Sequence, residues 1–102
     1  MQRMLMLYPH PVDPAHFRAY FVGTHLGLAA KLPGILGYRY SFEVADGTEQ
    51  PPYFAVFEAD FADAAALQAA LASPEGQTAL ADLPNYATGG SVPLMYPVTQ
   101  PD

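Results

Sequence analysis

The chain has 102 residues, 51% of them apolar and 14% charged, with four basic residues, ten acidic ones and a net charge of −6. That length suits one domain, residues 1–102, with a real core, and so little charge favours a covered apolar face. The negative charge argues against nucleic acid as a partner, and the absence of cysteine excludes disulfides, thiolate metal sites and thiol nucleophiles.

"MQRMLMLYPHP" opens the chain with one arginine and an apolar run of five residues before Pro9, too short for a signal peptide. No stretch reaches the roughly 18 apolar residues of a membrane span, so a soluble cytoplasmic protein without a membrane partner is expected. Met4 to Tyr8 reads as a buried strand. Asp13-Pro14 then opens a helix, Asp capping free N–H groups and Pro fitting the first turn, and Pro33-Gly34 stops it after about Leu32. A regular helical period puts Phe17, Phe21, Thr24, Leu28 and Leu32 on one stripe, with His25 at its edge facing inward and Tyr20 at the opposite edge.

Tyr38, Tyr40, Phe42 and Val44 alternate with polar residues as in a strand with one wet face or at a sheet edge. "ADGTEQPP" is a turn, and Tyr53 to Phe61 reads as a central strand apolar on both faces. Asp63 caps "AAALQAALA", Ser73-Pro74 starts a further helical segment, and residues 91–98 form a last strand whose prolines suit an edge. Only Pro101-Asp102 reads as a loose tail.

The order β-α-β-β-α-β predicts an α+β fold, a ferredoxin-like sandwich with both helical regions on one face of an antiparallel sheet. Two helices cover one face only, whereas the first and third strands read as apolar on both. Pairing of two sheets in a homodimer with a barrel-like centre resolves this.

His25 has two readings, a packed residue with one ring nitrogen hydrogen-bonded or a candidate catalytic residue, since partial burial keeps an imidazole neutral and basic near pH 7. Tyr8, at the end of the first strand, and Asn85-Tyr86, before the Gly-Gly turn, are placed to present polar groups at a cleft mouth, with Phe21 and Leu28 on the stripe beside His25. A tyrosine donor next to a histidine base suits enolisation. His10, His16 and His25 lack the spacing of a metal centre, so no metal is expected.

"YPHPVDPAHFRAYFVGTHLGLAAKLPGILGYRYS" and "PPYFAVFEADFADAAALQAALASPEGQTALADLPNYATGG" resemble the EthD family of the dimeric α/β-barrel superfamily, over almost the whole chain. The most specific pieces are His25-x-x-Leu28, Leu32-Pro33-Gly34, "ALASPEGQ" and "ATGG". The resemblance implies the dimeric barrel fold and a small-molecule cleft between the helices and their own sheet, faced by the histidine that His25 matches. The founding member is associated with bacterial degradation of fuel ethers, as an accessory to an oxidative system. Related proteins include lactone isomerases, polyketide cyclases, cofactor-free monooxygenases and haem enzymes.

This chain lacks the cysteine of a methylmuconolactone isomerase relative, the tryptophan common in the monooxygenases and the second-region histidine of haem-binding relatives. No cofactor is expected. The implied function is cofactor-independent acid/base chemistry by His25 on an oxygenated apolar metabolite of catabolic or secondary metabolism, of isomerase, cyclase, lyase or oxidoreductase type. The alternative is a non-catalytic ligand-binding or accessory protein of an oxidative degradation pathway.

Overall fold

Strands β1 (Gln2–Pro9), β2 (Gly37–Ser41), β3 (Tyr53–Phe61) and β4 (Val92–Pro97) form one antiparallel sheet in the order β2-β3-β1-β4. A computed structural model describes residues 1–101; Asp102, half of the expected loose tail, lies outside the described residues. Between β1 and β2 run α1 (Pro14–Tyr20), a π-helical turn (Phe21–His25) and α2 (Leu26–Ala29). Between β3 and β4 run α3 (Ala64–Ala72), α4 (Pro74–Asp82) and a 3₁₀ turn (Leu83–Asn85). This is the ferredoxin-like order, with β1 and β3 central and β4, which carries Pro93 and Pro97, at an edge.

Local chemistry sets the boundaries. The Asp13 carboxylate accepts the His16 N–H at 3.0 Å, Asp63 accepts that of Ala66 at 2.8 Å, and Ser73 Oγ accepts that of Gly76 at 3.0 Å. Each cap satisfies a donor that the first helical turn leaves free. At Gly76 a side chain would collide with the Ala70 and Leu71 carbonyl oxygens, so glycine lets α4 start hard against the end of α3. Gly34 has φ +78°, the left-handed conformation that turns the chain out of the first helical region. Gly34→Val is expected to lower the melting temperature by several degrees, since about 1–2 kcal/mol of strain shifts a domain of this size by that much. A thermal melt followed by circular dichroism checks it.

The core lies between the sheet and the helices. Met4, Met6 and Tyr8 of β1 alternate inward, and Ala55, Phe57, Ala59 and Phe61 of β3 do the same opposite them. The β1–β3 register slips after Tyr8, so Pro9 pairs with Tyr53 and Phe54 is the extra residue. The kink sends its ring into the core, 5.1 Å from that of Phe17.

The far face of the sheet has two halves. Leu5 and Leu7 of β1, Val56 of β3 and Val92, Leu94 and Tyr96 of β4 make an apolar half, in which Leu94 is 46% exposed. The other half is charged. Asp60 accepts Arg3 at 2.8 Å and Arg39 at 2.9 Å, and Arg39 also reaches Glu58 at 3.1 Å. The expectation that β3 is apolar on both faces therefore holds at Val56 and fails at Glu58 and Asp60, which stay on this face because two arginines pair with them.

Strand β2 is also shorter than expected, ending at Ser41 rather than Val44. Phe42 leaves the sheet to pack edge-on against Phe17 and Phe21. Among the described residues, no helix is long and apolar enough to cross a membrane.

Candidate active site

His25 owes its direction to the π-helical turn. The Leu26 N–H bonds to the Phe21 carbonyl, five residues back, and this wide turn absorbs one more residue than an α-turn. Phe17, Phe21, His25, Ala29 and Leu32 thus form the buried face in place of the regular stripe, while Thr24 is exposed and Leu28 half-exposed. His25 is 5% exposed, squarely inward rather than at an edge.

Its partner comes from the other helical region. His25 Nδ1 lies 2.9 Å from Asp82 Oδ2, and Asp82, the last residue of α4, is itself buried. Asp82 Oδ1 accepts the Tyr20 hydroxyl at 2.6 Å and the Asn85 amide at 2.9 Å, the 3₁₀ turn bringing Asn85 back over the helix end. Three side chains, His25 and Tyr20 from one helical region and Asn85 from the other, therefore converge on one carboxylate.

Electrostatics then set the protonation states. Burial lowers the His25 pKa from its ordinary value and outweighs the opposing pull of Asp82. Burial would raise Asp82, but hydrogen bonds from Tyr20, Asn85 and His25 together hold it below the usual carboxylate range. At neutral pH the pair is a carboxylate and a neutral imidazole. A carboxylate only accepts, so the imidazole proton sits on Nδ1 and the lone pair on Nε2.

That lone pair has no protein partner among the described residues. Among the described residues no buried side-chain nitrogen or oxygen lacks a hydrogen-bond partner, and Nε2 bonds to no protein group, so Nε2 is not sealed. His25 lines a cavity of about 30 Å³ between the inner sheet face and helices α2, α3 and α4. Among the described residues, Tyr8 and His25 bring its only polar side chains; Met4, Met6, Phe57, Leu32 and Leu83 are among the apolar ones. That volume holds roughly two waters. Leu80 lines it too and is 40% exposed, so it marks the solvent side of the cavity.

The other predicted residues fall in three places. Tyr8 lines the cavity and Tyr86 stands behind it, its ring 4.6 Å from that of His25 and its hydroxyl 2.8 Å from that of Tyr8. Phe21 is buried beside them, 5.7 Å from the His25 ring. Asn85 braces Asp82 instead of reaching the cavity, and Leu28 faces outward with Lys31, Pro74, Glu75 and Thr78, because the π-turn rotates it off the inner face. Among the described residues, no three His, Asp or Glu side chains are grouped to hold a metal ion.

Sequence reasoning missed Asp82 and Tyr20. One signal was available for Asp82: a carboxylate at the C-terminal end of a helix meets the negative end of the dipole, an unfavourable place unless it has other work.

The EthD domain model matches residues 9–90 of this chain, which include both helical regions and every residue of the dyad and its braces. The chain belongs to the EthD family. A relative in Rhodococcus erythropolis, described as an uncharacterized 11.0 kDa protein in the thcB-thcC intergenic region, is 35% identical over 92 residues, 88% of this chain and 87% of its own.

Solved structures agree on the fold. An EthD family protein from Bacillus halodurans superposes with a TM-score of 0.90 at 22% identity, covering 97% of this chain and 99% of its own. A dimeric ferredoxin-like protein of unknown function from Thermobifida fusca gives 0.73 at 15% identity, over 95% and 90% of the two chains. SnoaB, a cofactor-independent oxygenase from Streptomyces nogalater, gives 0.67 at 20% identity, over 98% and 93%.

Proposed function

We propose that this EthD protein performs cofactor-independent proton transfer on a small, apolar, oxygenated metabolite, with His25 as general base. The observation that carries it is the split state of one imidazole that lines an apolar cavity: Nδ1 is held by Asp82, and Nε2 bonds to no protein group and is not sealed. Asp82 positions the ring, fixes the tautomer and stabilises the imidazolium that forms when Nε2 takes a proton. Tyr20 and Asn85 hold Asp82 and keep it ionised. The cofactor-independent oxygenase among its fold relatives is compatible with chemistry run by side chains alone. Enolisation opens one class each of isomerase, cyclase, lyase and cofactor-free oxidoreductase reactions.

The cavity is smaller than such a ligand, so binding widens it at the exposed Leu80 side. The functional unit is a homodimer, supported by the apolar half of the far sheet face and by the dimeric ferredoxin-like relative. The cysteine-free chain suits the cytoplasm.

Deuterium exchange at the α-carbon of small neutral ketones, butanone and cyclohexanone, tests the reading by NMR in D₂O. The wild type is expected to accelerate exchange, and His25→Gln to lose roughly 10²–10⁴ of that acceleration. Equal rates would overturn the base assignment. The apolar lining favours a second reading, capture without turnover, which binding without His25-dependent exchange would establish.

A further inference from the structure

We propose that the paired hydroxyls of Tyr8 and Tyr86 complete the site, Tyr8 donating to the oxygen of a neutral, enolisable carbonyl ligand whose α-proton His25 removes. This rests on the reading of His25 as a base and narrows it to a substrate class.

The argument for Tyr8 is a count of protons. The two hydroxyls lie 2.8 Å apart, and one donates to the other. Were Tyr8 the donor, the Tyr86 proton would need a further acceptor, and among the described residues Tyr86 has none; its ring is sealed between those of His25 and Tyr20. With Tyr86 as donor, the Tyr8 proton is left over, and Tyr8 is the member of the pair that lines the cavity. A hydroxyl that accepts one hydrogen bond is also polarised toward giving another. Burial pushes Tyr8 up to about 12 and pushes Tyr86 up as well, so both remain protonated donors at neutral pH. Tyr8 touches the ligand; Tyr86 is a positioning residue.

The rest of the wall selects against charge. No cationic side chain lines the cavity, Asp82 stands behind His25, and the chain carries −6, so a carboxylate or phosphate has nothing to pair with. The chemistry of the wall matches a neutral ketone or lactone. In the step, the α-proton passes to Nε2 and its C–H pair becomes the C=C bond. The carbonyl π pair moves to oxygen, which accepts the Tyr8 O–H. Return of the proton from imidazolium to carbon restores the site, with no oxidant or reductant consumed.

Phenols mimic the enolate, so equilibrium titration of the full chain with phenol, p-chlorophenol, toluene and benzoate tests the proposal, with Kd and the His25 imidazole resonances read by NMR. Phenol is expected to bind about ten-fold or more tighter than toluene, p-chlorophenol tighter still, and benzoate more weakly than either phenol. Tyr8→Phe should erase the advantage of phenol over toluene without moving the His25 titration midpoint. Tyr8→Phe/Tyr86→Phe, which leaves no orphan hydroxyl, should do the same even if the single variant folds poorly. An advantage that survives both variants overturns the donor assignment and leaves His25 standing. Benzoate binding as tightly as phenol overturns the neutral class. If no probe binds or moves the His25 resonances, the base reading falls together with this one.

Discussion

Asp82→Asn is expected to lower His25-dependent proton exchange by roughly 10²–10⁴-fold while leaving the cavity in place. The carboxylate can only accept, which forces the proton onto Nδ1 and the lone pair onto Nε2. A carboxamide can offer N–H to Nδ1 instead, and an imidazole held that way carries its proton on the cavity side. The change is nearly isosteric, so its cost falls on the tautomer and the charge.

The imidazole titration gives a second readout. Asp82 raises the His25 pKa against the larger effect of burial; without that charge the midpoint should move to still lower pH, as NMR would follow. A residue that merely packed would shift the melting temperature and leave the tautomer signals where they were.

Stability should carry the same signature. Burial holds the folded His25 pKa below the ordinary histidine value, so the unfolded chain takes up a proton first and stability falls as pH drops below about 6.5. The folded Asp82 pKa is also depressed, and its contribution is lost below about pH 4 as the carboxyl is protonated. In the variant only the His25 part of this dependence remains.

Why His25 could be singled out from sequence and Asp82 could not is a matter of range. Asp13-Pro14, Asp63 and Ser73-Pro74 announce helix starts within four residues, and alternation announces strands within six, so the β-α-β-β-α-β order and the ferredoxin-like fold follow from local chemistry. His25 is legible as inward-facing because its apolar neighbours mark that face. The π-turn has no such mark: Val22-Gly23-Thr24 reads like any helix interior, and extrapolating a regular period through it placed Thr24 and Leu28 inward when both turn outward. Asp82 and Tyr20 meet His25 only because two helical regions, far apart in the chain, lie side by side on one sheet. Asn85 was placed at a cleft mouth from its turn context, whereas the 3₁₀ turn folds it back onto Asp82.

Leu94→Glu is expected to convert the proposed homodimer to monomers without unfolding the chain. Leu94 is 46% exposed in the protomer and sits amid Leu5, Leu7, Val56, Val92 and Tyr96, on the sheet face that the helices do not cover. A stable interface buries about 800 Å² on each partner, and an apolar half-face beside a charge-paired half suits a two-fold contact. Under two-fold symmetry one substitution enters the interface twice. Each new carboxylate would have to leave water without a partner, in an assembly of two chains that already carry −6 apiece, so association loses several kcal/mol. In the isolated protomer the same change touches an exposed edge strand and should alter stability by roughly 0.5 kcal/mol or less. Val12→Glu, at a site 87% exposed and away from the sheet, adds the same charge and should leave the dimer intact. Light scattering at micromolar concentration should read a dimer for the wild type and Val12→Glu and a monomer for Leu94→Glu. The wild-type melting temperature should rise with protein concentration while that of Leu94→Glu stays flat. A wild type that scatters as a monomer would mean that the apolar face stands in water, and the homodimer would have to be given up.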